Sequence, residues 1–254
     1  MQKPALPQSF LQAPIAHRGL HSLSNGVPEN SLASFEAAIA RGYGIELDLQ
    51  LSQDGVAMVF HDYSLERLTS EKGAVAQRTA AALGEIPLTG GVEGIPTLSE
   101  TLALVAGRVP LLIELKDQDG ALGPNVGPLE DATINALAGY SGDVALMSFN
   151  PHSVAALAAL APHIPRGLTT CDYLPEDWPT IPKARLVELV PIPDFNRTGS
   201  SFISHQASDL RSAPVTTLKA QNVPILCWTI RSGTEEQAAR QIADNVTFEG
   251  YLPA

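Results

Sequence analysis

Two short stretches of the chain set carboxylates where strands usually carry apolar side chains. In Gly44-Ile45-Glu46-Leu47-Asp48-Leu49-Gln50, strict alternation puts Glu46 and Asp48 on one face of a strand and Ile45, Leu47 and Leu49 on the other. Neighbouring acids raise one another's pKa unless a cation neutralises them or they face open solvent. A second apolar run, Leu111-Leu112-Ile113-Glu114-Leu115-Lys116, ends in Glu114 and Lys116, again two residues apart. Burying such groups is expensive without partners. Glu114 could complete an all-oxygen site with Glu46 and Asp48, a set suited to one divalent cation, Mg²⁺ or Ca²⁺, and poorly suited to a thiolate-binding metal. Lys116 offers either a positive charge for a phosphate or a salt bridge to one of those acids.

Two histidines stand at the ends of neighbouring apolar runs. Ala16-His17-Arg18-Gly19 follows the first, with a glycine that permits a sharp exit, and His61-Asp62 follows another. Two imidazoles beside three acids form an acid/base pair in outline, and Arg18 adds a fork of donors matched to phosphate oxygens. Asp62 either orients His61 or caps the following turn. By its position beside His61 it could hold the protonated form, which favours His61 as the acid.

The elements that must carry these groups alternate along the whole chain. Apolar strands are expected at Pro14 to Ala16, Gly44 to Leu51, Val56 to Phe60, Leu111 to Leu115, Val144 to Met147, Arg166 to Thr169, Ser201 to His205, Pro224 to Thr229 and Asn245 to Phe248. Asp54-Gly55 joins two of them as a hairpin, which leaves eight places around a barrel. Helices are expected at about Ser31 to Ala40, Leu98 to Ala106, Leu129 to Ala138, Ser153 to Leu160, Asp209 to Lys219 and Thr234 to Ile242. Asn30 with Ser31 can cap the first, Thr97 with Glu100 has capping-box spacing, and Gly42 follows the first helix's last turn. The fold class is therefore α/β, a (β/α)8 TIM barrel of one domain, 1–254, with active groups at the C-terminal ends of its strands. Residues 63–95, between a strand and its expected helix, form a small insertion after the second-strand hairpin. No internal repeat appears beyond the βα alternation.

His17-Arg18-Gly19, Pro28-Glu29-Asn30-Ser31, Ala33-Ser34-Phe35, Gly42, Glu46-Leu47-Asp48, Asp54-Gly55, His61-Asp62, Ile95-Pro96-Thr97-Leu98, Glu114-Leu115-Lys116, Ser148-Phe149 and Trp228-Thr229 follow one another in a characteristic order. In this the chain resembles the glycerophosphodiester phosphodiesterase family, densely from about residue 14 to 116 and sparsely afterwards. The resemblance implies that Glu46, Asp48 and Glu114 hold one divalent cation and that His17 and His61 serve as general base and acid. It implies further that Arg18 and Lys116 contact the phosphate with Asn30 nearby, that Glu29 positions His17 or Asn30, and that Phe149 and Trp228 form a hydrophobic mouth. Core packing is the competing role for either ring. The last strand departs from the family pattern: Asp244-Asn245-Val246-Thr247-Phe248-Glu249 stands where Thr-Asp is usual, and the chain ends soon after. A full final helix is not expected, and residues 1–12 or a partner chain would have to cover that side. Residues 174–200 match no motif.

The 254 residues are 44% hydrophobic and 17% charged, enough for a substantial core. A net charge of −11 disfavours nucleic acid and anionic membranes, although screening over roughly 8 Å leaves a local basic cluster free to attract an anion. Cys171 and Cys227 are read as free thiols. The N-terminus lacks the apolar stretch of a signal peptide and no run reaches the length of a membrane span, so a cytoplasmic protein is expected. A homo-oligomer is left open. The expected partner is a small-molecule phosphodiester: metal-dependent hydrolysis of a glycerophosphodiester to glycerol 3-phosphate and an alcohol. The alternatives are a phospholipase D-like enzyme acting on lysophospholipid or sphingomyelin, and an inactive ligand-binding barrel.

Overall fold

The computed structural model describes residues 3–253. Eight parallel strands close into a barrel: β1 (Ile15–Ala16), β2 (Gly44–Leu51), β4 (Leu111–Leu115), β5 (Val144–Ser148), β6 (Arg166–Thr170), β7 (Phe202–Gln206), β8 (Ile225–Ile230) and β9 (Asn245–Phe248). Closure comes at β1, which pairs with β2 through Ile15 and Gly44 and with β9 through Ile15 and Thr247. Strand β3 (Ala57–Val59) stays outside the ring as the antiparallel arm of the hairpin that turns at Gly55, where φ is +79°. The barrel is the TIM fold expected from the strand and helix alternation.

Alternation sorts each strand into two environments. Ile45, Leu47 and Leu49 face outward and share one core with Leu98, Leu102, Leu111, Ile113, Leu129, Val154 and Val215 from the surrounding layer. Inward, Ile15, Leu112, Ala145, Met147, Phe202 and Leu226 meet Leu6 and Phe10. Full burial of each such side chain stabilises the fold by about 1.5–3 kcal/mol. Helix α1 (Ser9–Gln12) thus closes the N-terminal mouth of the barrel, with its chain end fixed by Asn245, whose Nδ2 donates to Phe10 O and Ala13 O at 2.7 Å each.

Helices α2 (Leu32–Ala40), α4 (Leu98–Val105), α5 (Pro128–Leu137), α6 (Pro151–Leu160), α8 (Ala213–Ala220) and α9 (Gly233–Ala239) match the periodic stretches of the sequence. Ser31 caps α2 and Thr97 caps α4, the latter in the expected box with Glu100. Helix α8 starts later than its pattern suggests, at Ala213 rather than Asp209, because Pro214 lacks an N–H and fits the first turn. Helices α1, α3 (Ala80–Gly84) and α7 (Lys183–Leu189) were not expected; each is too short for periodicity to distinguish from a loop.

No helix follows β9 among the described residues. Tyr43 and Tyr251 instead cover Phe248 at centroid distances of 4.9 and 5.6 Å, and Tyr43 Oη donates to Pro253 O at 3.2 Å. The N-terminal segment therefore does not cover that flank but plugs the barrel floor; its first two residues lie outside the described residues. The insertion after β3 has an apolar core of its own, built from Met58, Phe60, Leu65, Leu68, Val75, Leu83, Ile86, Leu88 and Ile95. Among the described residues no helix is long and apolar enough to cross a membrane.

Candidate active site

The acids meet where β2 and β4 lie side by side. Pairing sets Asp48 opposite Glu114, and one ligand oxygen from each of Glu46, Asp48 and Glu114 lies within 4.8 Å of the others. All three residues are buried. Two further groups hold them in place: the Arg18 amide donates to Glu46 Oε2 at 3.0 Å, and Asn30 Nδ2 donates to Asp48 Oδ2 at 2.9 Å. Arg18 and Asn30 can present these groups because both have left-handed backbones, at φ +55° each. At Gly19, φ is +79° and a Cβ would lie 2.3 Å from Ser34 Oγ, so the sharp exit from β1 needs glycine.

The electrostatics within this cluster are uneven. Burial, then the nearby Asp48 and Glu114, pushes the Glu46 carboxyl well above its ordinary value. Burial also raises Asp48, but Lys116, His61 and Arg18 together outweigh it and hold that carboxyl far below. Lys116 Nζ lies 2.7 Å from Asp48 Oδ1 and 2.8 Å from Glu114 Oε1, so it forms the salt bridge weighed for it, with two acids at once. A set of three oxygen donors with one member still short of positive charge suits a hard divalent cation.

His17 and His61 have matching carboxylate partners. His17 Nδ1 is 2.6 Å from Glu249 Oε2, and His61 Nδ1 is 2.6 Å from Asp62 Oδ1. A carboxylate can only accept, so each Nδ1 carries a proton and each neutral ring keeps Nε2 as a base. Asp62 orients His61, which settles between its two expected roles. The contact does not separate acid from base, since Glu249 gives His17 the same support. Burial does distinguish His17: it pushes the imidazolium below its ordinary value despite the opposing pull of Glu249. Glu249 entered the sequence reading only as a departure in the last strand. Its signal is alternation, because Asn245, Thr247 and Glu249 fall on one face of β9 and its extension.

The remaining expectations fall differently. Asn30 is wholly buried, and its carboxamide meets Asp48 through both Nδ2 and Oδ1. Glu29 positions neither His17 nor Asn30: its Oε1 accepts from Arg18 Nη1 at 2.6 Å. Phe149 and Trp228 line the cavity and also pack, their rings meeting edge to face at 5.6 Å, so mouth and packing roles coexist. Trp178 and Tyr173, from the stretch around the motif-free residues 174–200, complete this aromatic cluster.

His17, Arg18, Glu46, His61, Glu114 and Lys116 open on one cavity of about 200 Å³. Its opposite side is Met147, Phe149, Thr169, Ser204, Trp228, Thr229, Arg231 and Thr247. The hydroxyl oxygens of Thr169, Ser204 and Thr247 are buried with no hydrogen-bond partner among the described residues. A larger cleft of about 570 Å³ shares Trp228, Thr229 and Arg231 but contains none of the three close acids and neither histidine. The chemistry therefore belongs to the smaller cavity.

A model of the glycerophosphoryl diester phosphodiesterase family matches residues 17–247. A glycerophosphodiester phosphodiesterase of Caldanaerobacter subterraneus subsp. tengcongensis is 35% identical over 176 residues, spanning 65% of this chain and 69% of that protein. The structure of an Oleispira antarctica phosphodiesterase in complex with the product sn-glycerol-3-phosphate superposes with a TM-score of 0.76 at 26% identity, covering 95% of this chain and 94% of the other. A glycerophosphodiester phosphodiesterase from Parabacteroides distasonis shares the fold at a TM-score of 0.72, with 23% identity and coverage of 92% and 91%.

Proposed function

The chain belongs to the glycerophosphoryl diester phosphodiesterase family, and on that premise we propose that it hydrolyses glycerophosphodiesters to glycerol 3-phosphate and an alcohol with one bound divalent cation and two proton-transferring histidines. The observation that carries this reading is a cluster of three close carboxylates, two of which, Glu46 and Glu114, line one cavity together with two carboxylate-backed imidazoles. Glu46, Asp48 and Glu114 would hold the cation. When bound, Mg²⁺ or Ca²⁺ supplies Lewis-acid neutralisation of charge on a nonbridging phosphate oxygen.

The chain's own groups do the rest. Arg18 lines the cavity while Glu29 and Asp48 steady its guanidinium, so its remaining donors face a phosphate. Lys116 contributes a second positive charge once another cation satisfies the acids it now bridges. His17, kept neutral by burial, accepts the proton of the nucleophile at Nε2, and His61, held by Asp62 through Nδ1 and entering the step with a proton on Nε2, gives that proton to the alcohol oxygen. Alkoxides such as those of choline or ethanolamine leave poorly without that proton. The glycerol end meets the unpartnered hydroxyls of Thr169, Ser204 and Thr247, and the alcohol passes Phe149 and Trp228.

The lipid-directed reading has one support, the aromatic cluster of Phe149, Tyr173, Trp178 and Trp228 beside the cavity. A substrate panel separates the two readings: glycerophosphocholine, glycerophosphoethanolamine, glycerophosphoinositol and lysophosphatidylcholine, each with and without EDTA. Turnover of the glycerol diesters that vanishes on chelation and returns with Mg²⁺ or Ca²⁺ is expected. Turnover of lysophosphatidylcholine alone, or full activity after exhaustive chelation, would overturn the assignment.

A further inference from the structure

We propose that Arg67, on the inserted segment, is a positioning residue that fixes Arg18 and His61 together through a single guanidinium fork. The inference rests on the reading of Arg18 as phosphate-facing and His61 as proton-transferring. Arg67 Nε and Nη2 donate to Asp62 Oδ2 and Oδ1 at 2.7 and 2.8 Å, while Nη1 and Nη2 donate to Glu29 Oε2 and Oε1 at 2.9 and 3.0 Å. The two carboxylates it grips are the ones already engaged at the cavity. Asp62 Oδ1 is also 2.6 Å from His61 Nδ1, and Glu29 Oε1 also accepts from Arg18 Nη1 at 2.6 Å. One guanidinium therefore spans a continuous chain of hydrogen bonds, His61 to Asp62 to Arg67 to Glu29 to Arg18.

The bland alternative is a partly exposed ion pair that merely staples the insertion to the barrel, an interaction usually worth little. Two observations weigh against it. The insertion packs against the hairpin through an apolar cluster of Met58, Phe60, Leu65, Leu68, Val75 and Leu83 in which Arg67 takes no part. The Arg67 fork is also saturated by two carboxylates at once, a planar arrangement that a lysine ammonium cannot reproduce. Without the fork, Asp62 is free to turn away from His61, and Glu29 retains only Arg18. Misplacement of reacting groups by about 1 Å can slow catalysis by about a hundredfold.

The test uses the metal-loaded protein with Arg67→Ala and Arg67→Lys. Two substrates are compared: glycerophosphocholine, whose alcohol needs a proton to leave, and the p-nitrophenyl ester of glycerol phosphate, whose phenolate does not. Arg67→Ala should lower kcat on glycerophosphocholine by about tenfold and markedly less on the nitrophenyl ester, while raising KM on both several-fold through Arg18. Arg67→Lys should recover only a small part, and added guanidinium ion should restore part of the Arg67→Ala loss. Melting temperatures report whether the variants stay folded. Wild-type kinetics in Arg67→Ala, an equal loss on both substrates, or full recovery with lysine would each overturn the clamp. Failure of the wild-type protein to act on either substrate would overturn the functional reading first, and the clamp with it.

Discussion

The two walls of the cavity are built from opposite materials. The wall formed by β1, β2, β4 and the hairpin end carries His17, Arg18, Glu46, Asp48, His61, Glu114 and Lys116, a dense set of charges that are buried only because they satisfy one another. The wall formed by β5 to β9 carries Met147, Phe149, Thr169, Ser204, Trp228 and Thr247, and its charged lining residue, Arg231, is paired with Glu249 at 2.8 Å. The contrast separates two tasks. Fixed charges stabilise a developing transition state, whereas hydroxyls and rings grade how well a neutral part of the substrate fits. The acids and histidines of the charged wall should therefore govern kcat, Arg18 there should add to binding of the phosphate, and the uncharged wall should govern KM for the rest of the substrate and selectivity.

The strongest way to break this division is to remove a charge from the first wall. Asp48→Asn or Glu114→Gln should lower kcat/KM by about 10²-fold or more on every glycerophosphodiester and abolish the thermal stabilisation that millimolar Mg²⁺ or Ca²⁺ gives the wild-type protein. A variant that keeps near wild-type turnover, measured by release of glycerol 3-phosphate, would place the cation elsewhere.

A second test follows from the raised Glu46 carboxyl. Its folded pKa lies above its unfolded value, so without a cation its contribution is full below the unfolded pKa and is lost as pH rises through the folded one. Cation binding needs the ionised form. The gain in Tm on adding Mg²⁺ or Ca²⁺ should accordingly grow as pH rises through the range above the ordinary glutamate value. Differential scanning fluorimetry would show it; a gain that shrinks over that range contradicts the role of Glu46.

The smallest effects belong to the second wall. A buried hydroxyl without a partner costs about 1–3 kcal/mol, so Ser204→Ala and Thr169→Val should leave the protein as stable as the wild type or more so, while raising KM for glycerophosphocholine several-fold with kcat nearly unchanged. Trp228→Ala should change headgroup preference in the same way. Steady-state kinetics that show kcat falling with KM constant would erase the distinction between the walls.

The walls also differed in how visible they were from the sequence. Glu46, Asp48 and Glu114 stood out because alternating acids in apolar strands demand a physical reason, and the strand pattern alone was enough to close the barrel. Thr169, Ser204 and Thr247 gave no such signal, since a small hydroxyl on a strand is ordinary whether it lines a cavity or fills a core. Arg67 and Glu249 were hidden for another reason. Arg67 meets Glu29 across 38 residues and His17 meets Glu249 across 232, and no local pattern encodes ion pairs made by tertiary closure. Asn30 was visible through its motif, but its contact was not: a left-handed backbone turns the carboxamide onto Asp48, a pairing that no local pattern announces. Residues 174–200 matched no motif because they contribute apolar and aromatic packing, through Trp178, Ile181, Leu186 and Leu189, rather than charged chemistry.

Leaving-group dependence is the sharpest probe of the proposed division of proton transfer between the two histidines of the charged wall. His17→Ala and His61→Ala should each lower kcat on glycerophosphocholine by about 10²-fold or more, with the melting temperature preserved. On the p-nitrophenyl ester of glycerol phosphate, His61→Ala should recover most of that loss and His17→Ala should not. Equal losses for both variants on both substrates would contradict the division and leave the two imidazoles as phosphate binders.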